Sequence, residues 1–217
     1  MRAKQESILQ AAEQFVKEKL AHDFSGHDWW HIMRVRANAW TIAQEEQADV
    51  FICELTALLH DVADEKLFGD EEAGYREIRA WLAAQDVGTA DADHMMEIIS
   101  TMSFKGGSRP PMKTLEGRVV QDADRLDAIG AVGISRVFAY SGAKGRPVHD
   151  PNIQPRESMT QAEYRSGKDT AINHFHEKLL KLKDLMNTAY GRKLAEERHR
   201  FMEQYLEQFH REWAGKA

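Results

Sequence analysis

Apolar residues along most of this 217-residue chain return every three or four positions, the period of a helix buried on one side. Ile8, Ala11, Ala12, Phe15, Val16 and Leu20 form one such row, which Ser25-Gly26 ends. His27-Asp28 opens the next, with Asp28 suited to cap its N-terminus, and Ile32, Val35, Ala39 and Ile42 continue it. His31 and Arg34 lie one turn apart near its start and so share a face. Residues 50–59 are almost uniformly apolar, a pattern that fits a buried strand or a buried helix. Helix is the better reading, because few alternating stretches and no hairpin dipeptides supply strand partners. This run delivers His60-Asp61 to its C-terminal end. Two strongly polar side chains are costly there unless they are paired or coordinate something.

Further helices are predicted at about 71–86, 91–104 and 115–129, with a basic turn, Lys105 to Lys113, before the last. On a regular helix Asp122 and Asp124 stand roughly 200° apart, whereas Asp124 and Asp127 can share a face. Another buried helix is predicted from Ile129 to Tyr140, then a Gly- and Pro-rich loop from Ser141 to about Thr160. A loop of that length inside a domain is usually functional or disordered. Helices resume over Lys168–Met186 and from about Thr188, where Leu194, Phe201, Met202, Tyr205, Leu206, Phe209 and Trp213 make an apolar stripe. The class is all-α. With no composition break, a single domain over 1–217 is expected.

Composition narrows the function. A net charge of −6 argues against a general nucleic-acid binder, though not against a small anionic substrate in a local basic pocket. Cys53 is the lone cysteine, so no internal disulfide forms, and it reads as a small apolar core residue. The N-terminus lacks the apolar core of a signal peptide and nothing is long enough to cross a bilayer, which leads to the expectation of a cytoplasmic protein.

His31, His60-Asp61 and Asp124 are the candidate chemistry. Two imidazoles and two carboxylates offer nitrogen and oxygen donors, which suit Mn, Fe, Co, Ni, Zn or Mg rather than a thiolate-loving metal. Four protein donors leave positions for water and substrate, and a coordinated water's pKa can fall toward neutrality. By spacing alone ten histidines and many acids produce such pairs by chance. A hydrogen-bonded histidine at a helix start, and a helix end at His60-Asp61, stay open as alternatives.

The segments His27-Asp-Trp-Trp-His31-Ile-Met-Arg34-Val35, Leu-Leu-His60-Asp61-Val-Ala-Asp64 and Gln121-Asp-Ala-Asp124-Arg125-Leu-Asp127, in that order, resemble the HD superfamily of metal-dependent phosphohydrolases. Arg136-Val-Phe-Ala-Tyr-Ser-Gly, His174-Phe-His-Glu-Lys-Leu-Leu-Lys-Leu and the long last helix resemble a bacterial HD-hydrolase subfamily. The resemblance implies an HD-domain helical bundle, with a metal-site core over about 24–130 and a helical extension over about 161–217. It implies one divalent metal, with manganese favoured, held by His31, His60, Asp61 and Asp124, and Asp122 and Asp127 behind them as orienting groups.

By the same resemblance Asp64 positions the attacking water, although a helix cap explains it equally well. Binuclear relatives carry two more histidines on the helix after the His-Asp pair. Here that helix has only His94, with Glu97 and Met102 at the corresponding places, which favours a single ion and leaves Glu97 or His94 to protonate the leaving group. Lys66, Lys105 and Arg125 are expected on phosphate, with Gly106 and Gly107 letting backbone amides approach. Arg34 contacts phosphate or pairs with an acid of the site, Arg109 flanks it, and Lys113 reads as a solvated charge. Trp29 and Trp30 read as core or rim residues, His174 and His176 as packing and surface, and Met95, Met96 and Met102 as interface fillers.

The implied substrate is a small phosphorylated molecule: a nucleoside or deoxynucleoside triphosphate cleaved to monophosphate and pyrophosphate. A 5′-nucleotidase or other phosphomonoesterase, or a non-catalytic nucleotide sensor, are the alternatives. A cyclic-dinucleotide phosphodiesterase is disfavoured, since Gly74-Tyr75 is followed by Arg76 where a Gly-Tyr-Pro element would be needed. The expected state is a monomer or homodimer, with no nucleic-acid or membrane partner.

Overall fold

The computed structural model describes residues 2–20, 28–63, 70–102, 111–156 and 169–216. Among them all regular structure is helical: α1 (Arg2–Lys19), α2 (Trp29–Glu46), α3 (Val50–Leu59), α4 (Glu71–Ala84), α5 (Thr89–Thr101), α6 (Leu115–Asp127), α7 (Gly130–Ala143), α8 (Ala171–Glu177), a 3-10 segment (Leu179–Leu185) and α9 (Ala189–Trp213). None of these helices is long and apolar enough to cross a membrane. The chain divides into two compact units, Met1–Asp124 and Arg125–Ala217, although no change of composition marks the division.

In the first unit α3 is the central element, packed against α1, α2 and α5. Its uniform apolarity follows from that position. Ile52, Cys53, Leu55, Thr56, Ala57, Leu58 and Leu59 are all buried, so no face is left for solvent. The amphipathic α2 instead buries one stripe, Ile32, Val35, Ala39, Ile42 and Ala43. Each large aliphatic side chain so buried stabilises the unit by about 1.5–3 kcal/mol. Arg36 on α2 joins Glu13 on α1 to Glu54 on α3, the latter at 2.9 Å. Helix starts are capped as the residue types predict: Asp28, Asp49 and Asp70 accept from the backbone N–H of His31, Ile52 and Glu72. Burial pushes the Cys53 thiol far above the usual thiol range, in keeping with a packing role.

Gly74 on α4 lets that helix approach the segment after His60-Asp61. A Cβ there would lie 2.5 Å from Ala63 Cα and 3.1 Å from the Val62 carbonyl oxygen. Those atoms are backbone and cannot swing aside.

In the second unit α9 packs on α7 and the 3-10 segment, and α8 packs on α7 and the 3-10 segment. Phe175 stacks on Tyr205 with ring centroids 5.9 Å apart. The helix predicted over 168–186 is two pieces. Thr170 caps α8, Lys178 leaves the helical region at φ −135°, and Leu179 and Leu182 bury themselves three residues apart, the period of a 3-10 turn. The stripe predicted on α9 is narrower than its letters suggest. Ala195, Met202 and Leu206 are buried, while Phe201 and Trp213 are about half exposed. The predicted Gly- and Pro-rich loop begins later, since α7 runs on to Ala143. Its described part is tied to α8: Pro147 and Val148 carbonyls accept from the Ala171 and Ile172 amides, and Arg156 forms a two-oxygen pair with Glu177. His149 is held below its ordinary pKa by burial and by neighbouring His210.

Two outcomes follow from this packing. Gly74→Ala should cost about 1–3 kcal/mol, seen as a lower denaturant midpoint with unchanged slope; an unchanged midpoint would refute the close approach. His174, deeply buried and next to Lys178, has its pKa pushed down to about 3 from 6.5. The unfolded chain therefore takes up a proton that the folded chain refuses. The stability due to neutral His174 is complete above pH 6.5 and is lost as the pH falls toward 3, by up to about 1.4 kcal/mol per pH unit. His174→Gln should flatten the acid limb of a stability–pH curve; coincident limbs would contradict the assignment.

Candidate metal centre

Three helix ends of the first unit supply one cluster. His31 stands in the first turn of α2, whose entry is set by the Asp28 cap, with His31 N donating to Asp28 Oδ1 at 2.8 Å. His60 is the residue that ends α3, and Asp61 follows it in the turn closed by Val62 N to Leu59 O at 3.1 Å. Asp124 lies near the C-terminal end of α6. Asn38 of α2 donates its side-chain amide to the Ala123 carbonyl at 3.4 Å, which ties the His31 helix to the Asp124 helix.

One ligand atom each from His31, His60 and Asp124 falls within 4.8 Å of the others. The Nε2 of His31 is 3.2 Å from Asp61 Oδ2 and 3.6 Å from Asp124 Oδ1. The Nε2 of His60 is 3.3 Å from Asp61 Oδ1 and 3.9 Å from Asp124 Oδ1. The imidazoles and Asp61 are buried, while the Asp124 side chain is 38% exposed. Among the described residues the cluster is therefore enclosed at the imidazoles and Asp61 and exposed at Asp124.

Whether a cation fits is decided at His60. Its Nδ1 lies 2.8 Å from the Ala57 carbonyl oxygen, which can only accept, so Nδ1 carries the proton. In the neutral ring Nε2 is then a bare lone pair, buried and without a hydrogen-bond partner, turned toward carboxylates. Two acceptors facing each other repel. Protonating Nε2 as well does not repair this, because an N⁺–H···O⁻ bond closes to about 2.7–2.9 Å and the oxygens stand at 3.3 and 3.9 Å. Donors about 2.0–2.2 Å from a first-row ion lie about 3–3.5 Å from one another, which matches the inner separations here. The residues fit a divalent ion, and the donor set of nitrogen and oxygen selects for first-row metals or magnesium without naming one.

The other residues singled out from the sequence divide. Asp64, Lys66, Lys105, Gly106, Gly107 and Arg109 lie outside the described residues. Arg34 is half-buried on α2, one turn beyond His31. Arg125 belongs to the second unit, where it donates to the Leu185 carbonyl. Asp122 is fully buried, and Asp127, also buried, accepts from Arg136 at 2.6 Å within the second unit. Glu97 is a poor proton donor. It is solvent-exposed and paired with Lys113 at 2.7 Å, which holds its carboxyl below the usual range and thus ionised. Lys113 is a solvated charge as expected, and its partner in solvent is Glu97. His94 has its Nε2 2.8 Å from Thr114 Oγ1 and 3.8 Å from Glu116, at the start of α6 rather than within the ligand group.

Three contributors were not singled out beforehand. The Ala57 carbonyl leaves no trace in residue type. Asn38 was signalled only as a polar residue beside the buried Ala39. Glu116 links helix starts, since its Oε1 accepts from the Asp49 amide at 3.2 Å.

Comparison with known proteins places these residues in a family context. Residues 29–129 match the family model of the HD domain. The chain is 42% identical to YpgQ of Bacillus subtilis over 212 residues, 95% of this chain and 96% of YpgQ. A solved structure from Lactobacillus plantarum superposes with a TM-score of 0.85 at 44% identity, covering 97% of this chain and 98% of the other. An HD-superfamily hydrolase from Bacillus thuringiensis gives 0.78 at 48% identity, again over 97% and 98%. YpgQ has also been solved in complex with ADP, and that structure gives 0.76 at 40% identity, over 96% of this chain and all of the other.

If the cluster holds a cation, Mn²⁺ should raise the melting temperature and a chelator should return it. The increment follows mass action, about 2.7 kcal/mol when free metal is a hundred times its Kd. His60→Ala should abolish the increment. An equal Mn²⁺ shift in wild type and His60→Ala would place the metal elsewhere.

Proposed function

The chain belongs to the HD superfamily and is a metal-dependent phosphohydrolase, and from that premise we propose that it hydrolyses nucleoside or deoxynucleoside triphosphates at the α-phosphorus. The products are a nucleoside monophosphate and pyrophosphate. The observation that carries this reading is the convergence of His31, His60, Asp61 and Asp124, of which Asp124 is the more exposed. The ADP complex of YpgQ supports a nucleotide as the class of ligand.

A divalent ion held by His31, His60, Asp61 and Asp124 would supply Lewis acidity, polarising a phosphate oxygen and acidifying water. The chain's own groups do the rest. The Ala57 carbonyl fixes the His60 tautomer, so Nε2 always presents its lone pair to the site. Burial of three donors keeps bulk water from the inner side. Asp124, half open, marks the face from which a triphosphate enters. Asp64, three residues after Asp61 in sequence, is assigned the proton that water releases as its oxygen bonds to phosphorus. The bridging Pα–O bond breaks and pyrophosphate leaves with that electron pair. Lys66 and Lys105 are assigned to the phosphate oxygens, where positive charge offsets the highly anionic pyrophosphate leaving group.

Incubating the Mn²⁺-loaded protein with a panel of nucleoside mono-, di- and triphosphates tests the reading by its products. Pyrophosphate and monophosphate in equal amounts are expected, with kcat falling by at least about a hundredfold in His60→Ala and Asp124→Ala. Orthophosphate released from monophosphates would make the protein a nucleotidase instead. Nucleotide binding with metal present and no product from any member would make it a sensor.

A further inference from the structure

The second unit contains a cavity of about 210 Å³ lined by His149, His176 and His210 together with Pro151, Ile153 and Asn173. The three histidines come from three elements, the irregular segment after α7, α8 and α9. His149 and His210 stand with ring centroids 5.5 Å apart and planes at 75°. The two ligand imidazoles of the first unit, His31 and His60, stand at 5.4 Å and 66°. The spacing that serves one metal in the first unit is thus repeated in the second.

Aromatic packing accounts for part of this arrangement. His149 meets Phe209 and Trp213 edge to face, at 5.8 and 5.0 Å. Such contacts explain the ring and leave its nitrogen unexplained. Nδ1 of His149 is buried and has no hydrogen-bond partner, a deficit that ordinarily costs about 1–3 kcal/mol. Packing also leaves open why a cavity persists beside three imidazoles.

We propose that this cavity is a second, transition-metal site that takes Zn²⁺ through His149, His210 and His176. Among the described residues only the His31 group already has three donors within 4.8 Å. The second site is therefore completed by turning His176 and His210, both exposed, through rotamer changes of the fast surface kind. Its donor set separates it from the first. An all-imidazole site suits Zn²⁺, Ni²⁺ or Cu²⁺ and has no carboxylate for Mn²⁺ or Mg²⁺. Bound zinc would staple the 144–156 segment to α8 and α9, a cross-link independent of the phosphohydrolase chemistry.

Zinc per chain, measured by equilibrium dialysis of the full chain, tests the proposal. Wild type should bind two ions, and His60→Ala, His210→Ala and His176→Ala one each, with the affinity of the second site at least about tenfold weaker in the last two. His210 and His176 are exposed, so these variants should keep the zinc-free melting temperature of wild type. Two zinc ions retained in both would overturn the proposal, as would a wild type that binds one ion and loses it in His60→Ala. A His60→Ala chain that still binds two ions would instead remove the first site and leave this one standing, so the two assignments fail separately.

Discussion

One lone pair organises the first unit. By donating its Nδ1–H to the Ala57 carbonyl, His60 leaves Nε2 bare, buried and facing carboxylate oxygens at 3.3 and 3.9 Å. Buried charge without compensation is among the costliest features a fold can hold. Among the described residues no hydrogen-bond partner reaches His60 Nε2, and a divalent cation would supply the compensation. Metal affinity and folding are then coupled, because the group that binds the ion is the group whose repulsion the fold must otherwise bear.

The helices around that lone pair are arranged to keep it in place. Asn38 joins α2 to the end of α6 at Ala123, beside the ligand Asp124. At the other end of α6, Thr114 Oγ1 accepts from the Gly117 amide and bonds His94, while Glu116 takes the Asp49 amide at the start of α3. His60 and Asp124 therefore sit about two to three turns beyond a junction that sets where both helices begin. His94 and Glu97, read from their places in the chain as candidate proton donors, belong to this framework. Their partners are Thr114, Glu116 and Lys113.

The candidate ligands were legible through the order of their segments, which resembles the HD superfamily, with a local cue where polarity falls at a helix end. His60-Asp61 after ten residues of apolar run, and Asp28 before a helical row, are local signals of polarity placed where burial forbids idle charge. Helix class and most boundaries were legible from the apolar pattern, and α3 could be read as a helix rather than a strand. What escaped was set by tertiary contact. Nothing in the letters shows that Asp127 spends its carboxylate on Arg136, or that Lys113 closes on Glu97. The break at Lys178 has no glycine or proline to announce it. It is visible only once Leu179 and Leu182 are seen to bury with a three-residue period. The division after Asp124 likewise falls inside a helix, where composition does not change.

Histidine serves this chain in at least three ways, and the ring alone does not distinguish them. His174 is shut in by packing and kept neutral, so its cost appears only in acid. His31 and His60 are shut in beside carboxylates, so their surroundings suit a cation with oxygen affinity. His149 and His210 repeat the spacing of that pair beside aromatic rings and a cavity whose lining holds no carboxylate. With the ring separations nearly equal, the difference in chemistry must come from what completes each site. Carboxylates bring net negative charge and favour hard, hydrated ions that keep open positions for substrate. A third imidazole adds none and favours a borderline ion held for its bonds to nitrogen. Three imidazoles would still leave a four-coordinate ion one open position, so the two arrangements differ in the charge of their donors rather than in whether the ion is closed off.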